Sequence, residues 1–295
     1  MTRRSGFSRW VCLVPLMLAA CGDDGSGTLD DGITPAEMSS EGAVGQRHLS
    51  AVGVQLYTVR AAMQQDFEGT LRSLAAMGYT EVELAGLFGR DPAQVATLLA
   101  ELGLTAVGSH VTYDRFVADP DAAIDETLAL GARYLVFPWL PEAERRTIAQ
   151  WQDWVALLNR VGQASQARGL ELAYHNHDFE FTAIDGVRPI DVLLDGIDRS
   201  VVKWELDLYW LAKAGGEPRE MFERYPGGFP LAHVKDMRLS DQAMVDVGEG
   251  DLDFAAVFAQ AAQSGMEHFI VEHDEPADPL QSVQNSVTYL KALTF

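Results

Sequence analysis

The chain is predicted to fold as a closed (β/α)8 barrel, on three observations. Eight short apolar runs recur along residues 49–295, most of them separated by stretches with helical spacing of apolar positions. Five of those stretches stop at a glycine that leads directly into the next apolar run, the punctuation of helices alternating with parallel strands. The span also has roughly the 250 residues of one barrel. An open doubly wound sheet is the rival fold. It usually carries a glycine-rich phosphate loop after its first strand, and Val54-Gln55-Leu56-Tyr57-Thr58-Val59-Arg60 contains no glycine.

The strand-like runs fall at 52–57, 81–84, 105–109, 134–137, 171–175, 201–207, 231–235 and 268–272. The helix expected at 65–77 places Phe67, Leu71 and Leu74 on one face and stops at Gly78. Helices at 92–102, 120–130, 147–168 and 253–264 stop at Gly103, Gly131, Gly169 and Gly265.

Residues 1–20 are expected to be a signal peptide rather than part of the fold. Arg3, Arg4 and Arg9 precede a short apolar run from Trp10 to Leu18, too short to span a bilayer as a stable helix. Leu18-Ala19-Ala20-Cys21 resembles a bacterial lipobox, which implies cleavage before Cys21 and a lipid on its sulfur. Gly22 rather than Asp follows, so an outer-membrane lipoprotein facing the periplasm is expected, held to the membrane by its lipid alone. Residues 21–48 are rich in Gly, Asp and Ser and read as a flexible linker, with the barrel occupying 49–295. Of the two cysteines, Cys12 leaves with the signal and Cys21 carries the lipid. No thiol then remains for a disulfide, a zinc cluster or a nucleophile. The formal net charge of −21 argues against a nucleic-acid partner and disfavours strongly anionic substrates.

Four stretches carry the chemistry: LAYHNHDFEF at 172–181, VKWELDLYW at 202–210, LAHVKDM at 231–237 and FIVEHDE at 269–275. Each is an apolar run ending in His, Asp or Glu, and the candidate side chains are His175, Asp207, His233 and Glu272. A closed barrel brings the carboxyl ends of its strands to one face, where two imidazoles and two carboxylates suit a divalent transition ion. Plainer roles stand beside these. Asp207 could cap the next helix, Glu205 shares its strand face and could compete with it, and His233 could be a hydrogen-bonded core residue. Asp236 is expected to orient Lys235 or to start a helix. Trp151 and Trp154 are expected to pack. Trp139, Tyr209 and Trp210 end strands, where aromatic rings either pack or stack on sugars.

The stretches VGVQLYTVR at 52–60, GYTEVEL at 78–84, YHNHDFEF at 174–181, HVKD at 233–236, VGEGDLDF at 247–254 and VEHD at 271–274 resemble the xylose isomerase-like TIM barrel superfamily, also called sugar phosphate isomerases/epimerases. The resemblance implies one divalent ion, manganese first, with cobalt, iron, zinc or magnesium as alternatives. By position it makes Asp207, His233 and Glu272 ligands. Many relatives read Glu-Asn-His at the end of strand five, where this chain reads His175-Asn176-His177. Either His175 takes the fourth place, or Glu180 reaches back to it, or the site holds metal weakly.

The resemblance further implies a sugar isomerase or epimerase that moves a proton next to a carbonyl. Glu272 would be one base, His177 or Glu180 the second acid/base, and Lys235 a partner for the oxyanion. Gln55, Glu83, His110, Trp139 and Trp210 would line the substrate pocket. An extracytoplasmic location favours an unphosphorylated sugar, a keto-sugar or keto-glycoside. A 3-keto-sugar dehydratase or lyase is the close variant, because it begins with the same proton abstraction. A tethered sugar-binding protein without catalysis is the reading from another class. The oligomeric state cannot be read from the sequence.

Overall fold

Eight parallel strands close into a barrel in the computed structural model, which describes residues 47–295. The signal segment, Cys21 and the linker up to Gln46 lie outside the described residues. The strands are β1 (Gly53–Gln55), β2 (Glu81–Leu84), β3 (Thr105–His110), β4 (Tyr134–Phe137), β5 (Glu171–His175), β6 (Val202–Asp207), β7 (Leu231–Val234) and β10 (His268–Val271). Each coincides with an expected run. Around the barrel the order is β1-β10-β7-β6-β5-β4-β3-β2, so β10 closes on β1 through Gly53 opposite Ile270. Glycine suits this close approach, since a Cβ at residue 53 would lie 3.2 Å from the Ile270 side chain, which would have to give way. A separate antiparallel hairpin, β8 (Asp236–Arg238) and β9 (Ala243–Val245), stands between β7 and β10.

The punctuating glycines act as the pattern requires. Gly78, Gly103, Gly131, Gly169 and Gly265 all have φ between +70° and +94°, a left-handed conformation that ends a helix at little cost for glycine. One expected helix starts two residues late behind an additional short helix, and another is divided. The helix expected at 65–77 spans Phe67–Met77, because the Asp66 side chain accepts from Gly69 N and caps it, and an additional helix, Arg60–Gln65, runs up to Asp66. The other becomes Phe254–Phe258 and Ala261–Ser264. The body begins before the expected start at residue 49: Arg47 and Phe295 exchange both backbone hydrogen bonds, at 2.9 and 3.0 Å.

The period of two along each strand sorts the side chains into two sets. Leu172, Tyr174, Trp204, Leu206, Ala232 and Val234 belong to the large core that includes the helices. Val107, Tyr134, Val136, Ala173, Leu231 and Ile270 form a small separate cluster contributed by β3, β4, β5, β7 and β10. On three of these strands the next residue of the same face is polar: His175 after Ala173, His233 after Leu231, and Glu272 after Ile270. The site therefore rests on an apolar layer inside the barrel.

Candidate active site

Glu205 is the hub of the buried polar layer. Its Oε2 lies 2.8 Å from His175 Nδ1, 2.9 Å from His110 Nε2 and 3.2 Å from His233 Nε2. Glu83 makes a second bridge, 2.7 Å from His233 Nε2 and 3.0 Å from His110 Nε2, and it accepts a 2.8 Å hydrogen bond from Gln55. Nearer the opening, Glu272 Oε2 lies 2.7 Å from His233 Nδ1 and 2.8 Å from the Lys235 ammonium. Lys235 also reaches Asp207 Oδ2 at 3.0 Å and Asp274 at 2.9 Å.

Asp207 caps the following helix with one oxygen and turns the other into the site. Its Oδ1 accepts from Trp210 N at 2.8 Å and caps the helix Leu208–Lys213, while its Oδ2 faces Lys235. Asn176 holds Asp207 in place by accepting from its backbone N–H at 3.0 Å. Asp236 neither orients Lys235 nor starts a helix. Its buried carboxylate accepts backbone hydrogen bonds from Met237, Gly248, Gly250 and Leu252, which fastens the VGEGDLDF loop to the base of the hairpin.

The potential metal ligands form two groups that share His233. One is His110, His175, Glu205 and His233; the other is Asp207, His233 and Glu272. His175 thus groups with Glu205, and its Nε2 stands 3.6 Å from Asp207 Oδ2. The donors fit a divalent ion of the zinc or manganese kind. Two buried carboxylate oxygens of the cluster, Glu83 Oε1 and Glu205 Oε1, also have no hydrogen-bond partner, as a cation-binding cluster would leave them.

Burial and neighbours set the protonation states. Burial opposes charge on His110, but Glu83 and Glu205 outweigh it and raise the imidazole to about 10. Burial also opposes charge on His233 and Lys235; the surrounding carboxylates win and push both well up. Glu272 moves the other way, held ionised against burial by Lys235 and His233. Burial raises Asp207 to about 6 and, assisted by Lys235, lowers His177 to about 3. His175 is depressed by burial and the neighbouring cations.

Above this layer opens a cavity of about 570 Å³. Its walls include His110, His175, His177, Lys235, Glu272 and Trp139 from the expected set. Strand β5 ends at His175, yet His177 reaches the same space, with ring centroids 5.0 Å apart. Gln55 and Glu83 lie beneath the cavity rather than on its walls. Trp210 stands behind His177, with centroids 5.2 Å apart. Glu180 does not reach back into the site. It is fully buried, accepting from Tyr174 Oη at 2.8 Å and from His177 N at 2.9 Å, and burial raises its carboxyl to about 8. Glu180 therefore holds the His177 backbone. The sequence reading underrated Glu205 and passed over Tyr57, Asp274 and Glu275, which also line the cavity. A period-two count from Gln55 would have found Tyr57.

The geometry has relatives among known proteins. The inosose dehydratase of Geobacillus kaustophilus is 24% identical over 260 residues, covering 75% of this chain and 83% of its own. A sugar phosphate isomerase/epimerase structure from Parabacteroides distasonis superimposes with a TM-score of 0.70 at 24% identity, covering 88% of this chain and 98% of that one. The IOLI protein, solved with a bound zinc atom, superimposes with a TM-score of 0.66 at 14% identity, over 81% of this chain and 95% of its own. Residues 71–293 match the family model described as xylose isomerase-like TIM barrel, and with the closed barrel and its converging ligands this places the chain in that family.

Proposed function

We propose that the chain is a divalent-metal-dependent lyase that dehydrates an unphosphorylated keto-sugar or cyclic keto-polyol. The observation that carries this reading is the meeting of Glu272, His177 and Lys235 on one cavity wall. Glu272, ionised, takes the proton from the carbon next to the carbonyl. The electron pair moves onto the carbonyl oxygen, to which the Lys235 ammonium donates. When that pair returns, the hydroxyl on the neighbouring carbon leaves. The proton gained by Glu272 passes to that hydroxyl oxygen, water departs and Glu272 is restored, while the neutral His177 ring hydrogen-bonds the leaving oxygen. A divalent ion held by Asp207, His233 and Glu272, with His175 beside them, would polarise the carbonyl. The several relatives named inosose dehydratase favour elimination over the isomerase or epimerase reading, which shares the first proton transfer. The lipobox at Cys21 supports an extracytoplasmic, membrane-anchored setting, where free sugars are a more accessible substrate than sugar phosphates.

The test is turnover of manganese-loaded protein with an inosose and a 3-keto-hexose in heavy water. Loss of one water by mass is expected, and Glu272→Gln should slow it by about 10²–10⁴-fold. Deuterium uptake without water loss would replace the lyase with an isomerase. Binding with neither outcome would make the chain a sugar-binding protein.

A further inference from the structure

The cavity is polar at one end and aromatic at the other. His175, Lys235 and Glu272 are at most 4% exposed, whereas Tyr57 and Trp139 on the same cavity are 41% and 46% exposed. Single exposed hydrophobic residues are ordinary. Here, however, the two exposed aromatic rings among the described residues both stand on this one cavity. The space between is kept open by small walls, Ala85 and Thr112.

The Tyr57 ring is held in place. Gln55 Oε1 accepts from Tyr57 N at 3.0 Å, and the Arg60 guanidinium lies over the Tyr57 ring, 4.0 Å from its centroid. Arg60 is itself tied to the Tyr57 carbonyl at 2.9 Å, to the Asp274 carbonyl at 2.8 Å and to Glu275 at 3.0 Å. Trp139 directly follows Pro138 and lies two residues before Pro141, whose fixed φ angles stiffen the backbone that carries it. A clamped ring loses little freedom when a ligand stacks on it. The volume of about 570 Å³ exceeds what one sugar ring fills and lies within the roughly 300–1,000 Å³ of drug-sized ligand sites. Asp274 and Glu275 also line the cavity and pair with Lys235 and Arg60, so these cations are already engaged and do not favour an anionic occupant.

We infer that the outer cavity is a subsite for a second, neutral ring, so that the substrate is a glycoside rather than a free monosaccharide. The inference rests on the sugar reading above. The reacting ring lies over Glu272 and Lys235, and the second ring, either another sugar or an aromatic aglycone, stacks against Tyr57 and Trp139.

Calorimetry on the full-length, manganese-loaded protein tests it with methyl β-D-glucoside, phenyl β-D-glucoside and cellobiose as non-reacting probes. At least one two-ring probe should bind about tenfold or more tighter than the methyl glucoside. Trp139→Ala and Tyr57→Ala should each cut that gain severalfold and leave the methyl glucoside unchanged. A gain for the phenyl probe alone assigns an aromatic aglycone, and a gain for cellobiose alone assigns a second sugar. Methyl glucoside binding with no gain from either second ring, or a gain that survives both substitutions, overturns the subsite while the sugar reading stands. Absence of binding by all three probes overturns both.

Discussion

Asp207 shows why single residues in such a site resist one-word roles. One of its oxygens belongs to a helix cap and the other to the ligand cluster, so truncation to alanine confounds the two. Asp207→Asn separates them, because the amide oxygen can still cap Trp210 N. This variant should fold normally yet hold divalent metal well below one equivalent, as should His233→Ala, whereas Arg90→Ala should keep the full complement. Elemental analysis of the three purified proteins decides it, and undiminished metal in both ligand variants would sink the site. At this scale the sequence disclosed the converging strand-end residues because each breaks an apolar run. It could not rank Glu205 as the hub, since that depends on three histidines from β3, β5 and β7 converging on one oxygen. Nor could it show Glu180 turning away from the pocket, which follows from the turn after β5 folding its carboxylate back onto the His177 N–H.

The elements were legible wherever two signals agreed. Each barrel strand had an apolar run, and five had a glycine stop before them. The β8–β9 hairpin escaped because its strands have three residues each, too short for a period to register, and because it depends on Asp236 gathering backbone N–H groups from a distant loop. The glycine stops can be tested as a pair. At Gly131 an added Cβ meets nothing within 4 Å, so Gly131→Ala should cost only the left-handed backbone penalty, about 1–2 kcal/mol. At Gly265 the Cβ would also lie 2.9 Å from the Gly227 carbonyl oxygen, so Gly265→Ala should cost clearly more. Urea unfolding of both variants measures the difference, and equal losses would show that the loop at Gly227 yields freely.

For the molecule as a whole, the length and the alternating pattern were enough to anticipate one closed barrel, because parallel strands joined by helices have few ways to cover all their faces. The proposed lipid at Cys21 also belongs to this scale. Cys21→Ser should release the protein from membranes into the soluble extracytoplasmic fraction, and fractionation unchanged from wild type would refute the anchor. The pairing of Arg47 with Phe295 bears on the same question. Arg47 leads into β1, and Phe295 follows the helix Pro279–Ala292, which returns from the end of β10. Both ends of the barrel therefore sit at the back of the strands, opposite the opening. The two ends of the described chain are thus already neighbours behind the cavity, so a circular permutant joining residue 295 to residue 47 needs only a short link and leaves the cavity mouth untouched.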